Sequence, residues 1–315
     1  MIEAPRALGL GELPAIGPAV VTLGVFDGVH LGHAALLAAT RRAAAERGAA
    51  SVALVFDPHP DEVVRPGTTV PRLAPLHQVL RRITVVQGIH HAVPLRFDEE
   101  LRSCPAEDFI AALDPAIELR GLVMTAESAF GRGREGTVER MRQVGAQRGF
   151  DVVGVEPLMA DGTPVSSTRV RRAIAAGDVA AATAMGTAPY LEGTVVVGDR
   201  RGRKLGFPTA NLAFDYTPAM PALGIYLGHV AVPDRGVGPA HPALVSVGVR
   251  PTFHDEARVL VEAYLLDYDG DLYGVRLALE LTARLRDERR FPDATALVEQ
   301  MRRDEAEARR LLDLG

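Results

Sequence analysis

Val20-Val21-Thr22-Leu23-Gly24-Val25-Phe26-Asp27-Gly28-Val29-His30-Leu31-Gly32-His33 begins as an apolar run rich in β-branched residues, the pattern of a buried strand. Gly24 and Gly28 break the run, and an alanine- and leucine-rich helix is expected from Leu31 to Glu46. Strand, glycine turn and helix start bring backbone N–H groups to a point where an anion can sit. His30 and His33, three apart at that helix start, share one face and converge on one spot. The arrangement suits nucleotidyl transfer. Charge there spreads over phosphate oxygens and a departing pyrophosphate, so positioning and fixed donors suffice without a protein nucleophile. Two imidazoles supply donors, while glycines let the main chain approach the phosphates. Half of a zinc site and a pair of satisfied helix caps are the competing readings. A single cysteine and no second ligand cluster nearby weigh against zinc.

Around this stretch the first half alternates strand and helix patterns. Strands are expected at Ser51–Phe56, Gly121–Thr125 and Asp151–Val155, and helices at Leu76–Gln87, Ala106–Leu113 and Val138–Gln147. Such alternation predicts a parallel sheet flanked by helices, with ligands beyond the carboxyl ends of its strands. Three further motifs fall at that edge. Phe56-Asp57-Pro58-His59-Pro60 reads as a stiff turn whose prolines exclude a following helix. Gly131, Gly133 and Gly136 match the spacing of a dinucleotide fingerprint, but that fingerprint belongs to the first strand–helix turn. The stretch reads instead as a flexible basic loop beside a nucleotide. Ser166-Ser167-Thr168-Arg169-Val170-Arg171 offers either ordinary helix capping or a cradle of donors for a phosphate.

From Tyr190 onward β-type runs follow one another without helices: Tyr190–Val197, Gly224–Val232, Ala243–Val249, Val259–Asp267 and Tyr273–Leu281. A helix from Asp293 to Leu312 closes the chain. The pattern predicts a separate antiparallel barrel, with a junction near Thr187-Ala188-Pro189. Gly198-Asp199-Arg200-Arg201-Gly202-Arg203-Lys204-Leu205-Gly206 is either a solvated basic turn or a phosphate loop. The Pro208-Thr209-Ala210-Asn211 that follows favours the phosphate loop, since a hydroxyl and a carboxamide oxygen two apart can reach one hard cation. Glu262 stands in a strand whose two faces both read as covered. It is either paired and structural, or a general base toward a hydroxyl.

At 315 residues the chain has room for two domains, and 47% hydrophobic content supplies a sizeable core. A net charge of −5 argues against a general nucleic-acid binder. Cys104 is the one cysteine, which excludes an internal disulfide and fits a reducing compartment. No leader or membrane-spanning stretch is evident, so a cytoplasmic location is expected. Lys204 is the one lysine, a bias of coding rather than of function.

Taken in order, these motifs resemble the bacterial bifunctional riboflavin kinase/FAD synthetase family. The resemblance runs over nearly the whole chain, through Gly248-Val249-Arg250-Pro251-Thr252, Glu262-Ala263-Tyr264-Leu265-Leu266-Asp267, Asp271-Leu272-Tyr273-Gly274 and Leu285-Arg286-Asp287-Glu288-Arg289-Arg290-Phe291. It implies an α/β nucleotidyltransferase domain on a Rossmann-like parallel sheet (1–186), which makes FAD and pyrophosphate from FMN and ATP. It also implies a six-stranded antiparallel barrel with a C-terminal helix (187–315), which makes FMN and ADP from riboflavin and ATP. By motif, His30 and His33 would stabilise adenylyl transfer, within a nucleotide site that includes Gly24, Phe26, Asp27, Gly28, Gly32 and His59. Ser166, Ser167, Thr168 and Arg171 would hold the triphosphate. In the barrel, Gly202, Arg203, Lys204, Gly206 and Pro208 would contact nucleotide, Thr209 and Asn211 would bind Mg2+ and phosphate, and Glu262 would take the proton from the ribityl 5′-hydroxyl. Partners are then the small molecules riboflavin, FMN and ATP, with neither nucleic acid nor membrane, on a monomer or weak homo-oligomer. Thr125, Glu127, Ser128 and Ala129 depart from the family's glycine, polar and aromatic residues ahead of Phe130-Gly131, and the stretch 73–78 departs as well. Loss of an aromatic platform would weaken FMN binding in that half. Two alternatives follow: a riboflavin kinase with a weak adenylyltransferase half, and a non-catalytic flavin- or nucleotide-binding regulator.

Overall fold

The computed structural model describes residues 5–198, 207–232, 237–250 and 258–313. The chain forms two compact units, one of Met1–Val70 with Pro75–Ser167 and one of Pro71–Ala74 with Thr168–Gly315.

In the first unit, β1 (Gly17–Gly24), β2 (Ala50–Asp57), β3 (His91–Arg96), β4 (Ile117–Thr125) and β7 (Asp151–Val155) form one parallel sheet in the order β3-β2-β1-β4-β7. Two short ribbons complete the unit: β5 (Ala129–Phe130) with β6 (Gly136–Thr137), and β8 (Met159–Ala160) with β9 (Thr163–Pro164). Ala19 and Val21 of β1 pack with Phe109, Ile110 and Met141 of two helices, while helix Leu31–Glu46 lies against the same strand. Because side chains alternate along a strand, that helix covers the opposite face. The chain builds outward from β1 to β3 on one side and from β4 to β7 on the other. The strand order therefore reverses between β1 and β4, where crevices in open sheets form.

Several local expectations are corrected. Strand β3 escapes the sequence pattern because Pro94 interrupts it. Pro94 is tolerated because β3 is an edge strand, and its carbonyl accepts from Leu8 N at 2.9 Å. A short helix, Pro60–Val64, follows the Asp57-Pro58 turn after all. Pro60 occupies its first position, where no N–H is required. The helix from Leu76 ends at Arg81 and continues as a π-turn over Arg82–Val86.

The second unit is a closed barrel of β10 (Tyr190–Val196), β11 (Ala210–Ala213), β12 (Gly224–Val232), β13 (Val237–Arg250), β14 (Arg258–Leu265) and β15 (Arg276–Asp287), in the order β10-β11-β14-β13-β12-β15. Tyr226, Val245, Val261 and Leu279 fill its interior. Leu227, Leu244 and Leu266 face outward and pack with Ala308 of the closing helix, Ala294–Asp313. Arg286 of β15 grips Asp304 of that helix through a bidentate pair, with Nε–Oδ1 at 2.8 Å and Nη2–Oδ2 at 2.6 Å, both side chains nearly buried. Pro71–Ala74 adds a short strand-like segment to this unit. Arg72 N donates to the Thr217 carbonyl and Ala219 N to the Arg72 carbonyl, both at 2.8 Å, and Arg171 Nε donates to the Pro71 carbonyl at 2.8 Å.

Candidate active sites

The first site grows from the carboxyl end of β1. Between Gly24 and His30 the backbone turns sharply, with positive φ at Phe26 (53°), Gly28 (80°) and Val29 (49°). Glycine adopts this conformation freely, whereas Phe26 and the β-branched Val29 are strained in it. Both are almost fully buried, so packing enforces the turn. Arg82 Nη1 donates to the Gly28 carbonyl at 3.1 Å and Ser167 Oγ to the Asp27 carbonyl at 3.0 Å. Ser167 thereby ties the start of the Ser166-Ser167-Thr168 motif to the histidine turn within one unit.

His30 is buried and caps helix Leu31–Glu46, its Nδ1 accepting from His33 N at 3.4 Å. His30 thus serves as a helix cap as well as standing at the turn. The two rings stack at 3.7 Å between centroids with 19° between planes, and Phe26 stands 5.2 Å from His33. Burial, reinforced by His30 alongside, holds the His33 pKa well below the ordinary imidazole value. His33 Nδ1 is enclosed and has no partner among the described residues. Gly32 is required for close approach. A Cβ there would lie 3.1 Å from both His30 Cε1 and the Val165 carbonyl.

The remaining motifs of this half resolve differently. His59 caps helix Pro60–Val64, its Nδ1 accepting from Asp61 N at 3.1 Å. Ser166 precedes helix Ser167–Ala175, while Thr168 and Arg171 belong to the second compact unit. The expected flexible loop around Gly131 and Gly136 is instead the β5–β6 ribbon, packed on the start of helix Ala106–Leu113. A Cβ on Gly131 or Gly136 would lie 2.8 Å from Ala106 atoms, so these glycines serve packing. Phe130 is buried edge-on against Phe109, with centroids 5.2 Å apart, and is no exposed platform.

The second site is a cavity of about 920 Å³ on the outward face of the barrel. Its walls include Thr209 and Asn211 from β11 and its approach, Glu262 from β14, Ser246 from β13, and Leu297 and Met301 from the closing helix. Strand register makes the arrangement explicit: Asn211 pairs with Glu262, and Glu262 pairs with Ser246. Directly opposed residues share a face, so the three polar side chains form one row with the carboxylate in the middle. The sequence reading placed Glu262 between two covered faces. The structure opens one of them into the cavity, and Glu262 is half-buried. Gly198 packs against Asn211, where a Cβ would come within 2.4 Å of Nδ2. Pro208 is exposed at the cavity wall. Gly202, Arg203, Lys204 and Gly206, like Pro251 and Thr252, lie outside the described residues. Among the described residues no three histidine, cysteine or acidic side chains gather as a metal cage. The hydroxyl of Thr209 and carboxamide of Asn211 remain hard oxygen donors of the kind that share magnesium with water and phosphate. Ser246 escapes sequence reasoning, because only register marks it, while Gly198, read from sequence as the first glycine of a phosphate loop, is shown by the structure to pack on Asn211.

Two family models match the chain: FAD synthetase over residues 14–169 and riboflavin kinase over residues 185–312. A bifunctional riboflavin kinase/FMN adenylyltransferase of Pseudomonas fluorescens is 35% identical over 93% of this chain and 92% of its own length. The protein of that name from Escherichia coli K12 is 33% identical over 97% and 96%. A crystal structure described as a macrolide-efflux protein of Streptococcus pneumoniae superposes with a TM-score of 0.86 at 28% identity, covering 96% of this chain and 98% of that one. No described helix of this chain is long and apolar enough to cross a membrane.

Proposed function

Since the chain belongs to the bifunctional riboflavin kinase/FMN adenylyltransferase family, we propose that its two reactions are divided between the two sites just described, with labour split at residues 186/187. Riboflavin is phosphorylated by ATP to FMN, and FMN is adenylylated by a second ATP to FAD with release of pyrophosphate. The matched regions 14–169 and 185–312 support that division. The row Asn211–Glu262–Ser246 along one cavity wall is the observation that carries the assignment of the kinase site.

In the kinase, Glu262 accepts the proton of the ribityl 5′-hydroxyl as its oxygen attacks the γ-phosphorus of ATP, and ADP leaves. Thr209 and Asn211 would hold Mg2+, which when bound neutralises charge on the transferring phosphates. In the adenylyltransferase, an FMN phosphate oxygen attacks the α-phosphorus. The histidine pair donates to the charge that develops, from a turn already fixed by packing. Gly24, Phe26, Asp27, Gly28 and Gly32 shape the approach to the phosphates, and Ser166 and Ser167 stand beside it. Thr168, Arg171 and His59 are assigned to the same nucleotide by motif. The protein is proposed to act in the cytoplasm, as a monomer or weak homo-oligomer, with no nucleic-acid partner.

Incubation with riboflavin, ATP and Mg2+, followed by chromatography, tests both halves at once. Wild type yields FMN and then FAD. Glu262→Ala yields neither from riboflavin but still converts supplied FMN to FAD, whereas His30→Ala/His33→Ala stops at FMN. Loss of both steps in either variant would refute the division.

A further inference from the structure

We infer that Arg309 of the closing helix, acting through Asp267, positions the segment 268–273 as a wall of the kinase cavity and so sets the affinity for riboflavin. The inference rests on the reading of that cavity as the riboflavin kinase site. Residues 268–273 connect β14 to β15, and all of them line the cavity, whereas Asp267 and Arg309 stand outside its lining. The segment is fastened at both ends. At its exit Gly274 N donates to the Val195 carbonyl at 2.9 Å, and Val195 N donates to the Val275 carbonyl at 2.9 Å. At its entry Leu266 N donates to the Pro242 carbonyl at 3.0 Å, and His241 Nε2 lies 2.7 Å from the Leu266 carbonyl oxygen. The closing helix adds a fork at the same end: Arg309 Nη1 donates to Asp267 Oδ2 at 2.8 Å and Nη2 to Oδ1 at 2.7 Å.

Asp267 is where the chain turns out of the ladder, and its φ of 54° lies in the left-handed region, which aspartate visits but does not prefer. Fixing its carboxylate from the helix therefore fixes the direction in which Tyr268 departs toward the cavity. The Tyr268 ring stands edge-on to His241 with centroids 5.8 Å apart, and a Cβ on Gly270 would lie 2.7 Å from its hydroxyl. The hydrogen bonds from Arg309 hold the Asp267 carboxyl below its ordinary pKa, so the pair is charged at neutral pH. Both side chains reach solvent, where most single ion pairs contribute little. A bidentate fork differs because it adds a fixed geometry to the attraction. The segment so held carries Asp269 and Asp271 beside Tyr268, Leu272 and Tyr273. Two carboxylates repel a triphosphate, whereas aromatic and apolar side chains suit an uncharged flavin ring. The substrate whose binding depends on the fork is therefore riboflavin rather than ATP.

The test measures KM for riboflavin, KM for ATP and kcat of FMN formation in the full-length chain, with FAD formation from supplied FMN as a control of folding. The variants are Arg309→Met, Asp267→Asn and the two combined, where asparagine keeps a residue that accepts the left-handed conformation. Each single variant should raise KM for riboflavin about fivefold, with kcat and KM for ATP within twofold of wild type. The combined variant should be no worse than either alone, because the fork is already broken. Glu305→Gln removes the other partner of Arg309, on the same helix, and should leave KM for riboflavin unchanged. An unchanged KM for riboflavin in Arg309→Met overturns the inference. So does a fall in kcat at constant KM, an additive combined variant, or a Glu305→Gln variant that matches Arg309→Met. Full FMN formation by Glu262→Gln would instead overturn the reading of the cavity as the kinase site.

Discussion

Replacing Gly198 by alanine is the sharpest test of how the kinase site is held, because Gly198 contributes no functional group. A Cβ built on it falls 2.4 Å from Asn211 Nδ2, 2.6 Å from Cγ and 2.8 Å from Oδ1. Ordinary contact begins near 3.4 Å, so the carboxamide must retreat by about 1 Å. The backbone of Gly198 is not in the left-handed region, so alanine adds no strain of its own. A misplacement of about 1 Å can cost about 10²-fold in rate, equivalent to about 2.7 kcal/mol of transition-state stabilisation. We therefore expect Gly198→Ala to lower kcat/KM for FMN formation about 10²-fold, with FAD formation from supplied FMN unchanged. Steady-state assays of the two steps on the same preparation measure this directly. FMN formation within threefold of wild type would mean that the position of Asn211 does not limit the reaction, and the assignment of β11 to phosphate and metal binding would fail.

Gly32→Ala forces a methyl against His30 and the Val165 carbonyl, so adenylylation of FMN should fall about tenfold while riboflavin phosphorylation holds, as the same paired assay will show. The lowered pKa of His33 fixes a sign for pH dependence: below 6.5 the unfolded chain takes up the proton that the folded ring refuses. Its stabilising contribution is complete above 6.5 and is lost as pH falls below that value. Urea unfolding between pH 7.5 and 5 should show a decline that His33→Gln flattens. Asp304→Ala strands the Arg286 guanidinium between barrel and helix, and denaturant unfolding should register a loss of about 3 kcal/mol, the low end for a broken buried pair because the cavity lets water reach it.

The sheet and barrel were legible because buried strands announce themselves by composition and because Gly24, Gly28, His30 and His33 carry their chemistry in local spacing. Two elements were not. Strand β3 was masked by Pro94, whose missing N–H is harmless only at an edge, and edge position is a property of the assembled sheet. Strand β11 is four residues long, too short for a sequence pattern, and the sequence marks Asn211 within it as a ligand rather than as part of a strand. At the kinase site, Glu262 stood out as a carboxylate among apolar neighbours. Ser246 is an unremarked serine until the ladder sets it opposite Glu262. Gly131 and Gly136 show the converse error, since glycines that read as a flexible loop beside a nucleotide arise equally from tight packing on Ala106.

Pro71–Ala74 belongs by its contacts to the same body as the barrel, yet its codons lie roughly a hundred positions upstream. No single scission can therefore liberate that body whole. A clone that starts at the riboflavin kinase match would leave Thr217 and Ala219 facing solvent where Arg72 had bridged them. Chimaeras assembled from relatives should accordingly transplant this tetrapeptide together with the downstream half.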